Sequence, residues 1–187
     1  HVTIDSRKTF SADDTLFIAL RGERHDGHRF INDLLARGMR HFLVMDEPPF
    51  DSAQGDELHG RSTFVRVPDT LDALQRLAAW HRAHFHMPVV GITGSNGKTV
   101  VKEWLFHLLR DSEHIVRSPG SWNSQVGVPL SVWNMRSEHT LGLFEAGISE
   151  PGEMERLRSV IRPTIGVFTN IGPAHGGNFP DERVKAL

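Results

Sequence analysis

Apolar residues between His1 and Pro68 come in short bursts separated by polar turns. Thr15 to Leu20 (TLFIAL) is apolar and β-rich and predicts a strand. After the turn-like RGERHDG, the segment HRFINDLLARGM carries Phe30, Ile31, Leu34 and Leu35 at helical spacing, and Gly38 stands where such a helix would stop. RHFLVM predicts the next strand, DEPPFDSAQGDELHG a polar loop with two prolines, and TFVRVPD a further short strand. These elements make a small α/β unit ending near Pro68. DTLDALQRLAAWHRAHF then opens on an Asp/Thr cap and places Leu71, Leu74, Leu77 and Ala78 on one helical face. The domain boundary is expected at this helix, giving domains 1–70 and 71–187.

From Met87 onward strand and helix patterns alternate: PVVGIT, TVVKEWLFHLL, HIVRSP, a loop, LGLFEAG, PGEMERLRSVI and TIGVFTN. Strands alternating with helices predict βαβ units on a largely parallel sheet. The fold class is α/β: a small N-terminal α/β domain followed by part of a P-loop-type parallel-sheet domain.

Composition removes several alternatives. Of 187 residues, 39% are hydrophobic and 24% charged, as in ordinary globular proteins. A net charge of −2 gives no bulk electrostatic case for nucleic acid or an anionic membrane. No apolar run approaches the roughly 20 residues needed to span a bilayer. HVTIDSRKTF has no apolar signal segment, and cysteine is absent, which excludes thiolate metal sites and fits a cytoplasmic location. The first residue is not methionine and DERVKAL reads as an interrupted amphipathic helix, so a piece of a longer chain is expected. Among twelve histidines, His81, His84 and His86 of HRAHFH invite a zinc reading. Their spacing of three then two does not put all three on one helical face, and a solvated helix end is expected instead.

The segment VVGITGSNGKTVVKEWLFHLL carries the chemistry. A phosphate loop needs glycines for tight backbone approach, a lysine for the β- and γ-phosphates, a Ser/Thr hydroxyl for Mg²⁺, and a helix N-terminus behind them. Gly94, Gly97, Lys98 and Thr99 supply these between a strand and a helix. The common spacing G-x-x-x-x-G-K-[ST] would put a glycine at position 92, which is Ile92. Phosphoryl chemistry also needs a carboxylate for the metal at a neighbouring strand end. Glu145 occupies such a position in LGLFEAG. TIGVFTNIGPAHGGNF, read as a buried strand running into a Gly/Pro-rich loop, adds Asn170 and His175 as nucleotide or metal contacts.

At these residues the chain resembles the Mur ligase family, the ATP-dependent amide-bond ligases of peptidoglycan precursor synthesis. The family's loop is the shortened T-G-[ST]-x-G-K-[ST], which Thr93, Gly94, Ser95, Asn96, Gly97, Lys98 and Thr99 match, so Ile92 is expected there. IDSRKTFSADDTLFIALRGERHDGHRFI, WNSQVGVPLSV, FEAGISEPGEMERL and TNIGPAHGGNF are similar to segments of the branch that adds D-alanyl-D-alanine to UDP-N-acetylmuramoyl-tripeptide (UDP-MurNAc-tripeptide). NSQVGVPLSVWNM and FEAGIS are similar to a subgroup fused to an alanine racemase.

The resemblance implies ATP and Mg²⁺ as cofactors, and UDP-MurNAc-tripeptide and D-Ala-D-Ala as substrates. It implies that Lys98, Glu145 and His175 are catalytic, and that Thr93 to Thr99 and Asn170 hold the nucleotide. Thr99 and Glu145 would bind one Mg²⁺ and His175 a second, while Ser6, Arg7, Asn123 and Ser124 would contact the UDP-muramoyl substrate. By the residues alone, Ser6 and Arg7 equally suit closing a turn, and Asn123 and Ser124 capping one.

Two departures follow. The family's carbamylated lysine is expected past Leu187, since Lys185 sits closer to His175 than the pattern suggests. The rest of the ATP-binding domain and an amine-substrate domain are expected beyond this chain, so it should not turn over alone. Two rival readings stay open: the diamino-acid-adding Mur ligase, which shares the DSR…DGHRF segment, and a non-catalytic P-loop nucleotide-binding module.

Overall fold

The computed structural model describes residues 1–8, 11, 14–22, 25–46 and 62–172. His175, Lys185 and nearly all of the predicted DEPPFDSAQGDELHG loop lie outside the described residues. The chain divides into two compact units, His1–Leu74 and Gln75–Leu187.

The first unit is a four-stranded parallel sheet in the order β1 (Val2–Thr3), β2 (Leu16–Ile18), β3 (His41–Val44), β4 (Thr63–Arg66). The two-residue β1 was not predicted, because so short a strand leaves no alternation to read. A single 3₁₀ turn (Gly27–Phe30) leads into α1 (Ile31–Ala36), whose Ile31, Leu34 and Leu35 pack with Phe17, Met39, Phe42 and Val44. Gly38 ends α1 at φ +95°, with Gly38 N–H donating to Leu35 O and Met39 N–H to Leu34 O, the paired bonds of a left-handed helix stop. His28 is buried below this turn. Its Nε2 accepts from Met45 N–H at 2.9 Å, so the ring proton sits on Nδ1 and is given to Asp26 at 2.6 Å.

α2 (Thr70–Arg82) is capped by Asp69, whose Oδ1 accepts from the Leu71 and Asp72 N–H groups. The division between the units falls within this helix.

The second unit is a four-stranded parallel sheet in the order β6 (Ile115–Arg117), β7 (Leu141–Glu145), β5 (Val89–Thr93), β8 (Ile165–Phe168). Its two central strands, β5 and β7, are apolar on both faces because helices cover both. Val89, Val116 and Phe144 pack with Ala78 of α2, Val128 and Val132 of α4 (Gly127–Val132), and Leu157 and Val160 of α5 (Glu153–Ile161). Val90, Ile92, Leu141 and Leu143 pack against α3 (Lys98–Leu109).

Two expectations change here. α4 falls in the stretch read as loop; Pro129 sits in its first turn, where no backbone donor is lost. β8 is not buried: Ile165 and Phe168 are 50% and 59% exposed, because among the described residues β8 is an edge strand that pairs with β5 on one side.

Candidate functional site

β5 ends at Thr93 and α3 begins at Lys98, so the loop between them is short. Ile92, where the longer loop would carry glycine, is still inside β5 and fully buried against α3. Gly94 has φ +131°, and a Cβ there would overlap Thr169 Oγ1 and stand 2.9 Å from Asn170 N. A side chain is thus excluded by backbone conformation and by space together. Gly97, at φ +81°, turns the chain into α3, whose N-terminal end carries no side-chain cap. An uncapped helix start presents partial positive charge and suits an anion.

The loop is held by the strand end beside it. Ser95 N–H donates to Asn170 O at 2.8 Å, Asn96 N–H to Asn170 Oδ1 at 3.0 Å, and Thr169 Oγ1 to Asn96 O at 2.6 Å. Asn170, expected as a nucleotide contact, here shapes the loop. Lys98 Nζ donates to Gly94 O at 2.6 Å, which folds the ammonium over the loop.

Thr99 Oγ1 donates to Glu145 Oε2 at 3.0 Å, and Glu145 is fully buried at the end of β7. Glu145 Oε1 lies 2.8 Å from the ammonium of Lys102 as an ion pair, yet it receives no aligned hydrogen bond among the described residues. Lys102 instead aims its donors at the Ser118 and Gly120 carbonyls. Glu103 pairs with Arg117; burial pushes its carboxyl up, but the bonds from Arg117 and Lys102 outweigh this and hold it below the usual range. Sequence reasoning missed Lys102 and Ser118. The available signal was the four-residue spacing of Lys98 and Lys102 on one helix.

A cavity of about 650 Å³ opens in front of the loop, lined by Thr93, Gly94, Ser95, Lys98, Asn123, Ser124 and Asn170, with the Ser149–Glu155 segment as its wall. Five predicted nucleotide residues and two predicted substrate residues thus meet in one cavity. Asn123 is set there by close approach: its O accepts from Gly147 N–H at 2.8 Å, and a Cβ on Gly147 would stand 2.9 Å from Asn123 Cγ. Ser124 also receives the Gly127 N–H at 3.1 Å, at the start of α4. The wall is fixed by Glu153, whose Oε2 takes the Ser149 and Glu150 N–H groups and the Ser149 hydroxyl. Ser6 and Arg7 lie in the first unit. Arg7 forms a two-pronged pair with Asp5, and its bonds hold the Asp5 carboxyl down at about 2; Arg37 donates to Ser6 O.

Among the described residues no three His, Cys, Asp or Glu side chains group to hold a metal by themselves. The expected solvated histidine end fits His84 and His86 but not His81. The His81 ring packs between Trp133 and Phe85, with Nε2 3.1 Å from Met135 O, and burial lowers its pKa. A hard divalent cation that keeps several waters and leans on phosphate oxygens needs only one or two protein oxygens. Thr99 Oγ1 and the Glu145 Oε2 beside it meet that need, while Glu145 Oε1 faces the Lys102 ammonium.

Comparison with known proteins matches residues 92–183 to the family described as Mur ligase middle domain, and residues 1–82 to the Mur ligase family, catalytic domain. A UDP-N-acetylmuramoyl-tripeptide--D-alanyl-D-alanine ligase of Treponema pallidum is 38% identical over 99% of this chain and 40% of its own length. The Bacillus subtilis ligase of the same name is 34% identical over 93% of this chain and 36% of its own. Among solved structures, MurF from Acinetobacter baumannii superposes with a TM-score of 0.86 at 31% identity, over 99% of this chain and 38% of that one. MurF ligase from Thermotoga maritima in complex with ADP gives 0.83 at 30%, over 98% and 40%. The chain spans about 40% of the length of such relatives. Among the described residues no helix is long and apolar enough to cross a membrane.

Proposed function

Since the chain belongs to the Mur ligase family, we propose that it is the part of a D-alanyl-D-alanine-adding ligase that binds ATP and UDP-MurNAc-tripeptide. The observation that carries this reading is the pairing of Thr99 with buried Glu145 at the foot of a glycine loop carrying Lys98. The names of the relatives supply the substrate class, and the ADP complex of one neighbour supports the nucleotide.

In this reading residues 1–70 recognise the uridine nucleotide, with Ser6 and Arg7 as contacts, and 71–187 form part of the ATP-binding domain. The reaction moves the γ-phosphoryl of ATP to the terminal carboxylate of the muramoyl peptide, releasing ADP. The amine nitrogen of D-Ala-D-Ala then attacks the acyl carbon, loses a proton, and the carbon–oxygen bond to phosphate breaks.

The chain's contribution is positioning and charge compensation. Lys98 carries positive charge at the loop for the β- and γ-phosphates, and the open end of α3 adds N–H donors. Gly94 lets the backbone come close to the phosphates. Asn123 and Ser124, on the same cavity, present polar groups to the muramoyl substrate. Thr99 and Glu145 would hold Mg²⁺, which supplies compensation for phosphate charge; His175 is proposed as a further ligand. A cytoplasmic location fits soluble nucleotide substrates.

Calorimetric titration tests this reading. The chain should bind ATP–Mg²⁺ and, separately, UDP-MurNAc-tripeptide, without turnover. Binding of ATP with no binding of any uridine nucleotide would point to a nucleotide module of another kind.

A further inference from the structure

Lys102 lies on α3 one turn beyond Lys98 and Thr99, and its side chain is fully buried. A buried ammonium is costly unless its charge and its three donors are matched. Three elements share that task here. Nζ donates to Ser118 O at 2.8 Å and to Gly120 O, both on the segment after β6. It sits 2.8 Å from Glu145 Oε1 on β7 and 3.3 Å from Glu103 Oε1 on its own helix. Glu103 is already shared with Arg117 of β6. Glu145 therefore meets a full positive charge on one oxygen and the Thr99 hydroxyl on the other.

A divalent cation entering beside Thr99 finds a carboxylate whose charge is already compensated, on a loop that also carries the Lys98 ammonium. Alone, it gains little. Accompanied by phosphate oxygens, it arrives with negative charge that both lysines attract. We propose that Lys102 makes cation loading at Thr99 and Glu145 conditional on a phosphate-bearing ligand. Lys102 is thus a positioning residue that acts through Glu145, and the proposal rests on reading this loop as a nucleotide site. Glu150, Glu153 and Glu155 on the cavity wall also attract cations, but they stay constant when Lys102 alone is changed.

The test is a Mn²⁺ titration of the chain followed by electron paramagnetic resonance, on the wild type and on Lys102→Met, which keeps the apolar stem and removes the charge. The wild type should bind free Mn²⁺ no more tightly than the millimolar range. Lys102→Met should bind free Mn²⁺ at least about tenfold more tightly, without nucleotide. Equal or weaker Mn²⁺ binding by the folded variant is what a merely structural ion pair gives, and it overturns the proposal. Removing one partner of a buried pair endangers folding, so the wild type provides a separate arm. A micromolar free-Mn²⁺ site on the unaltered chain that disappears in Glu145→Gln overturns the proposal without any Lys102 variant. If the folded wild type binds no ADP even with Mg²⁺, the nucleotide reading itself fails and the proposal falls with it.

Discussion

Each unit contains a four-stranded, all-parallel sheet, and only the order of the strands differs in kind. The first runs β1-β2-β3-β4, so every crossover steps the same way across the sheet. The second runs β6-β7-β5-β8: the chain leaves β5, returns through β7 beside it, and then crosses to the other flank as β8. Reversal of direction leaves a crevice beyond the carboxyl ends of the strands at the switch point. The loop after β5, Glu145 at the end of β7 and Asn170 after β8 gather there. Strand type does not make the site; strand order does.

The largest expected effect comes from breaking the loop at that switch point. Gly94→Val should destabilise the second unit by about 5 kcal/mol, combining a strained positive φ with steric overlap at Thr169. Urea denaturation, with hydrogen exchange on β5 and β8, would measure it; a stability within error of wild type would show that the loop has another accessible conformation. Phe42→Ala should cost nearly as much, about 4 kcal/mol, because Phe42 is fully buried and stacks on Phe64 at 4.9 Å. Its exchange loss should appear in β2 and β3, with ADP affinity retained. Loss of ADP binding in a folded Phe42→Ala chain would break the assignment of the nucleotide site to the second sheet.

The contrast also shows what a sequence makes visible. Runs such as PVVGIT and LGLFEA are buried on both faces and announce themselves as apolar strands, and Glu145 is legible because it closes one of them. Burial of a polar residue is not legible in the same way. Lys102 looks like any helix lysine, and only folding reveals that it is enclosed by Glu145, Ser118 and Gly120. Edge position is equally hidden: Ile165 and Phe168 have the composition of a core strand, but among the described residues the strand order leaves β8 on one flank. Asn123 and Ser124 could be named from their motif, yet their place in the same cavity as Lys98 depends on the return of β7 beside β5.

Smaller changes separate the loop's charge from its shape. Lys98→Met leaves Gly94 and Gly97 in place and should weaken ADP binding by roughly 30-fold, about 2 kcal/mol, the scale of a hydrogen bond to a charged group. Calorimetry on the folded variant reads it directly, and an unchanged affinity would shift the phosphate contact to the α3 backbone alone.

The smallest effect is a difference in acid response between the units. Glu153 in the second unit has an ordinary value of 4.5; burial pushes it up, but bonds from Ser149 and Glu150 outweigh burial and set it lower. Asp5 in the first unit is lowered from 3.8 to about 2, chiefly by the Arg7 side chain and then by the Arg7 N–H. A carboxyl whose folded pKa is depressed adds stability above its unfolded value and loses it as pH falls through the folded one. Acidification should therefore loosen the Ser149–Glu150 wall first, from 4.5 downward. The Asp5–Arg7 turn should persist until pH approaches about 2. Amide chemical shifts of Glu150 and Arg7, followed by NMR during acid titration, separate the two. A Glu150 midpoint at or above 4.5 would mean that burial, and not the hydrogen bonds, governs the cavity wall.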